Sequence, residues 1–148
     1  INKENVGNQR VAFGRTAEES LRNESKLGLT KIMRHPRYWY SIKSDMTFSL
    51  DSGLNYTYRP TSEDTHAIID SGTQELVLPS AMRNAITPTS ILTIKMDGVE
   101  PLRFDVAKIG LENIAFDDQP TLGFPVFWTY DILFHMRNSR LGFYKRAL

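Results

Sequence analysis

Ala67-Ile68-Ile69-Asp70-Ser71-Gly72-Thr73 sets three apolar residues before an acid and follows it with a hydroxyl residue, a glycine and a second hydroxyl residue. A strand that ends in Asp70 carries a carboxylate to the lip of a core. Gly72 lets the backbone turn back sharply. The hydroxyls of Ser71 and Thr73, with nearby backbone N–H groups, can then hold the carboxylate in one orientation. Such a carboxylate can act as a general base or, when protonated, as a general acid. Asp-Ser-Gly is also ordinary turn chemistry, and the chain supplies a comparison. Asp51-Ser52-Gly53 has the same three residues between two alternating stretches, where a surface turn is expected. The unbroken apolar approach to Asp70 predicts instead a strand buried on both faces.

The elements around this segment read as β. From Tyr38 to Leu50 the residues Tyr38, Tyr40, Ile42, Met46, Phe48 and Leu50 share one parity, with Ser, Lys, Asp and Thr on the other. That period predicts a strand with one buried face, or two strands in line. Asp51-Ser52-Gly53 turns it into a hairpin with Leu54–Tyr58. Further strands are predicted over Arg10–Phe13, Leu29–Met33, Ala67–Ile69, Glu75–Leu78, Ile91–Met96, Leu102–Val106, Val126–Phe134 and Leu141–Tyr144, with Asp97-Gly98 as another tight turn. Helical pattern is scarce. Ser80 is expected to cap a short helix over Ala81–Ile86, and Thr16 a turn over Ala17–Leu21. Many short strands between turn signals make an all-β domain. Residues 1–8 are expected to be a polar entry segment and 9–148 one domain.

Composition narrows the function. The chain has 148 residues, 41% hydrophobic and 24% charged, which is globular composition. Eighteen basic against seventeen acidic side chains leave a net charge of +1, giving no electrostatic case for nucleic acid as a partner. No apolar run approaches the roughly 20 residues of a membrane span. There are no cysteines, which excludes thiol catalysis, disulfides and Cys-based metal sites. His35, His66 and His135 lack metal-ligand spacing, so no metal and no cofactor is expected. Lys31, Arg34, His35 and Arg37 form one basic cluster, and Arg137, Arg140, Lys145 and Arg146 another; both read as solvated faces. Trp39 interrupts the alternation of its strand and is expected in the core or at an interface. The first residue is Ile1, which predicts a processed chain or part of a longer product.

A second segment carries the argument further: Thr121-Leu122-Gly123, then Phe124 through Phe134, Asn138 and Leu141-Gly142-Phe143. With Ile68-Ile69-Asp70-Ser71-Gly72-Thr73 it resembles the C-terminal lobe of the pepsin-like aspartic proteases. That lobe follows its Asp motif with a Leu-Pro or Gly-Pro pair and a short helix, as at Leu78-Pro79 and Ser80–Ile86. Val11-Ala12-Phe13-Gly14 and Tyr38-Trp39 also fit, so the resemblance covers about residues 9 to 146. The chain departs from the family at Phe124 and His135, where relatives place Asp, and at Gln74, where Ser is common. It has a shorter stretch between Pro79 and Leu122 than pepsin. These departures mark a divergent member and spare Asp70, Ser71, Gly72 and Thr73.

The resemblance implies an all-β lobe with one or two short helices. It assigns Asp70 as one member of a catalytic aspartyl dyad, Ser71, Gly72 and Thr73 as its supporting loop, and Leu122 and Gly123 to the ψ-loop. The implied function is peptide-bond hydrolysis, with an N-terminal lobe or a second chain supplying the other aspartate and a peptide or protein as substrate. The alternative is an inactive lobe that serves as a binding or structural subunit. A secretory or endolysosomal/vacuolar location follows from the resemblance alone. Phe124, apolar where relatives are charged, is expected to be buried against the central strands.

Overall fold

The computed structural model describes residues 11–34 and 40–146. The alternating run resolves into two strands, β2 (Tyr40–Ile42) and β3 (Met46–Leu50), which follow β1 (Ser25–Arg34). The break falls at Ser44, which is buried; its hydroxyl donates to the carbonyl of Asp45 at 2.7 Å and accepts the Asp97 N–H at 2.8 Å. Met46, Phe48 and Leu50 point into the core while Thr47 and Ser49 are half-buried, as the period requires. Ser41 breaks the pattern: it lies on the polar parity but is fully buried.

β3 pairs antiparallel with β4 (Asn55–Tyr58) through the Asp51-Ser52-Gly53 turn, and with β7 (Ile91–Met96) on its other side, once β5 (Ile68–Ile69) and β6 (Leu76–Pro79) have intervened in the chain. β7 turns through Asp97-Gly98 into β8 (Val99–Asp105). β1 divides its pairing. Its first part pairs with β12 (Arg140–Lys145), and its end pairs with β2. It thereby joins the meander to a second group, in which β9 (Ile114–Asp117) and β10 (Thr121–Leu122) lie beside β5 and β6. Buried side chains from both groups, Phe48, Phe104, Phe143, Met82 and Leu122 among them, form one core.

Several local expectations change. Val11–Phe13 forms no strand, and Val11 and Phe13 are 76% and 82% exposed. A helix, α1 (Arg15–Ser20), begins after Gly14, with Thr16 inside it, its hydroxyl donating to the carbonyl of Phe13. Ser80 is not a cap. It opens a single 3-10 turn, Ser80–Met82, and its hydroxyl donates to Asp118 at 3.1 Å. The largest correction concerns Val126–Phe134. Its first half is helical, α3 (Phe124–Thr129), and only Tyr130–His135 is strand, β11. Pro125 explains the helix. Its fixed φ suits a first turn, where the N–H it lacks has no helical partner. With α2 (Val106–Ile109), three short helices are present among the described residues rather than one or two. The strand predicted at Arg10, the entry segment 1–8, His35, Arg37, Tyr38 and Trp39 fall wholly or partly outside the described residues. No described helix is long and apolar enough to cross a membrane.

Candidate functional site

β5 is buried on both faces, with Ala67, Ile68 and Ile69 at 1%, 9% and 3% exposure. The cause is its position. It pairs antiparallel with β2 on one side and parallel with β10 on the other. The N–H of Asp70 continues that parallel ladder by donating to the carbonyl of Leu122 at 3.1 Å. Asp70 therefore leaves the sheet at a fixed point, and its side chain is half-buried.

The loop after it folds back on the carboxylate. The Gly72 N–H donates to Asp70 Oδ1 at 2.9 Å, and the Thr73 hydroxyl donates to Oδ2 at 2.9 Å. Each oxygen keeps further acceptor capacity. Gly72 does not adopt a left-handed conformation. What it provides is room, since a Cβ there would sit 3.2 Å from Asp70 Oδ1. Ser71 is exposed on the outside of the loop. Asp51, with the same following residues, does something else. It is exposed, and its carboxylate accepts the N–H of Ile91 at 3.1 Å across a hairpin end.

β10 lies between β5 and β6, two strands consecutive in the chain; Thr121 stands opposite both Ile68 and Val77. β10, ending in Leu122, thus passes between two strands that are consecutive in the chain, and Gly123 follows it. Leu122 is fully buried. Gly123 passes so close to the neighbouring backbone that a Cβ would lie 1.9 Å from the carbonyl oxygen of Glu75 and 2.7 Å from that of Thr73. The next residue, Phe124, donates its N–H to the Thr73 carbonyl at 2.7 Å. The crossing thus locks α3 onto the Asp70 loop.

Phe124 packs against the core, but it is half-buried rather than fully buried as expected. It meets Trp128 edge to face, with centroids 5.7 Å apart and planes at 78°. With Ser71, Gly72, Gln74 and Asn113 these rings line an open cleft of about 440 Å³. Trp128 and Asn113 were not among the candidates from sequence. The signal was the i, i+4 spacing of Phe124 and Trp128, which has meaning only on a helix. Ser71 also reaches the rim of a longer groove, about 1260 Å³, between the Val11–Leu21 segment and β11.

The remaining candidates lie elsewhere. His135, half-buried at the end of β11, faces Arg140 of β12, and His66 precedes β5. No group of three or more metal-ligating side chains occurs among the described residues. Lys31 and Arg34 are exposed on β1, and Arg146 pairs with Asp131 at 3.5 Å.

The fold is that of an all-β pepsin-like lobe. No protein-family model and no curated protein matches the chain. Solved structures do; 36 chains match. One is basic 7S globulin from soybean, at a TM-score of 0.59 and 12% identity, over 78% of this chain and 41% of that one. At that identity the likeness is one of fold, and the chain spans less than half the length of that neighbour.

Proposed function

We propose that this chain is the C-terminal half of an aspartic endopeptidase. The supporting observation is the Asp70 carboxylate, held by one donor on each oxygen at the end of a doubly buried strand, against the passage of β10 between β5 and β6. A catalyst of this kind needs two such carboxylates, and the sequence carries one apolar-Asp-Ser-Gly-Thr segment. The second aspartate comes from an N-terminal lobe or a second chain.

Two carboxylates at contact distance cannot both ionise, so the pair shares one proton and titrates as a unit. The ionised member takes a proton from a water held between them. The protonated member donates to the oxygen of the scissile carbonyl as the water attacks its carbon. Proton transfer to the amide nitrogen then lets the C–N bond break, giving an acid and an amine. Gly72 and Thr73 keep Asp70 from rotating out of line, and exposed Ser71 reaches across to the partner's loop. A secretory or endolysosomal/vacuolar setting belongs to the same reading.

Asp70→Asn keeps the side-chain shape and removes the titrating group. Expressed with its second lobe, the parent cleaves a denatured protein at acid pH and binds a hydroxyl-bearing peptide isostere; the variant does neither and melts close to the parent. A second reading is a non-catalytic binding lobe, favoured by Phe124, which places an aromatic ring beside the loop where relatives carry an acid. On that reading the parent neither cleaves nor binds the isostere at any acidic pH.

A further inference from the structure

We propose that Asn55 carries an N-linked oligosaccharide, which shields the open edge of β4. The inference goes beyond the peptidase reading; it rests on the secretory setting of that reading and not on catalysis. Two Asn-x-Ser/Thr acceptor triplets occur in the chain, Asn23-Glu24-Ser25 and Asn55-Tyr56-Thr57. The reaction is a glycosyl transfer from a lipid-linked oligosaccharyl diphosphate. The bond between C1 of the sugar and the diphosphate oxygen breaks, and C1 bonds to Asn55 Nδ2. The amide loses one proton, and the lipid diphosphate leaves.

Geometry at the acceptor is the first argument. Asn55 opens β4 just after the Asp51-Ser52-Gly53 turn and is exposed. Residues two apart on a strand share a face, so Asn55 and Thr57 project together. Opposite them across the hairpin stand Ser49 and Thr47, on the half-buried side of β3, while Met46, Phe48 and Leu50 fill the core. The triplet therefore presents its Asn and its Thr on the face turned away from the core. The Ser49 hydroxyl donates to Asn55 Oδ1. Glycosylation replaces one of the two N–H bonds on Nδ2 and leaves the amide carbonyl intact. The hydrogen bond from Ser49, and with it the hairpin, survives the modification.

The second argument is the strand that bears it. β4 stands at the end of the strand order, and no described strand pairs with its outer edge. Its Asn-Tyr-Thr-Tyr has no Pro, Lys or other charge inside the strand, the usual devices against edge-to-edge association. An oligosaccharide on Asn55 supplies hydrophilic bulk at that edge instead. The third argument is separation from Asp70. In the strand order β3, β7, β8, β1 and β2 lie between β4 and β5, and no β4 residue lines either cleft that Ser71 reaches. A glycan on Asn55 leaves the Asp70 loop open. Asn23 is exposed too, but the next residue, Glu24, lines the larger groove. An oligosaccharide there would crowd that groove, and the contrast selects Asn55.

The test expresses the full-length gene product, with no leader added, in cultured eukaryotic cells and treats it with peptide N-glycosidase in heavy-oxygen water. Peptide mass spectrometry is expected to find Asn55 converted to a labelled aspartate only where the enzyme was present. Asn55→Gln and Thr57→Val should each run lighter than the parent by one oligosaccharide, while Thr57→Ser, which keeps the triplet, should not. The parent stripped of glycan under native conditions, and Asn55→Gln, should associate in light scattering at concentrations several-fold below those the glycosylated parent tolerates. An Asn55 peptide recovered unmodified overturns the site, and so does a labelled aspartate at Asn23 alone. Equal association with and without the glycan overturns the shielding of β4. If Asn55 is unmodified while Asp70→Asn still abolishes cleavage, this inference falls and the peptidase reading stands. If Asn55 is modified in a protein that cleaves nothing, the modification stands and the peptidase reading falls.

Discussion

The Phe124 N–H donates to the carbonyl of Thr73 at 2.7 Å, joining two segments some fifty residues apart in the chain. Each residue is placed by its own segment, and the bond joins the two segments. Thr73 belongs to the loop that folds back on Asp70, and Phe124 is the first residue of α3. Their bond makes the carboxylate, the crossing strand and the aromatic pair one unit, so a change in any part should be felt in the others.

Gly123→Ala is the sharpest test of that unit. The new methyl would stand 1.9 Å from one backbone oxygen and 2.7 Å from another, and backbone in the middle of a crossing cannot step aside cheaply. Overpacking of this kind costs about 3 kcal/mol or more. A fall of about 10 °C in melting temperature, or failure to fold, is expected from calorimetry. A variant that melts within a degree or two of the parent would show that the backbone at the crossing yields more easily than these distances imply.

Thr73 can be separated from Asp70 by chemistry alone. Thr73→Val keeps the shape and removes the hydroxyl that donates to Asp70 Oδ2. The stability cost is about 1 kcal/mol, the net worth of one hydrogen bond. On the proposed peptidase reading, cleavage by the chain paired with its second lobe falls about tenfold or more, and Thr73→Ser restores most of it. A loss in Thr73→Ser with none in Thr73→Val would mean that the methyl group, not the hydroxyl, is what the site uses.

Alkaline pH should weaken the fold through Tyr130. Its hydroxyl donates to the carbonyl of Arg103 and accepts the Arg103 N–H at 2.7 Å, and burial raises its pKa above the ordinary value. Because the folded pKa lies above the unfolded one, about 10, the folded chain holds its proton longer than the unfolded chain. Stability is therefore complete below pH 10 and is lost as pH rises through the raised pKa. Tyr58 and Tyr144 are shifted the same way by burial and add to the loss. Tyr130→Phe should cost about 1–3 kcal/mol at neutral pH, since two backbone groups of Arg103 lose their partner. It should also flatten part of the alkaline decline in urea-unfolding midpoints. An unchanged alkaline slope would place the titration elsewhere.

Phe124→Asp has a different expected cost from that of a core position. A fully buried unpaired acid would cost several kcal/mol. Phe124 is half-buried, so the new carboxylate stays hydrated, and the loss is the contact with Trp128 plus some buried apolar area, about 1–2 kcal/mol. A chemical-denaturation loss of 4 kcal/mol or more would mean that the side chain is deeper than its exposure indicates.

How much of this was legible in sequence differs by element. The alternation of Met46, Phe48 and Leu50 marked their strand, because a period of two has one explanation on a half-buried surface. Ile91–Met96 and its Asp97-Gly98 turn were legible for the same reason. The division of Val126–Phe134 into helix and strand was not legible from its apolar pattern. Continuous apolar runs carry no period, and Pro125 was the signal that should have divided helix from strand. Val11–Phe13 looked like strand by composition, yet no described strand pairs with it.

The sequence by itself determined that Asp70 ends an apolar run while Asp51 ends an amphipathic one, and so which acid would stand at the edge of the core. Burial follows from side-chain type over a few residues, so local chemistry suffices for it. Tertiary structure alone decided what surrounds that acid. Leu122 supplies the carbonyl for the Asp70 N–H, Gly123 clears the backbone of residues 73–75, and Phe124 and Trp128 open a cleft beside Ser71. Those contacts arise because β10 inserts between β5 and β6, and the pairing partner of a two-residue strand is set by the shape of the whole sheet.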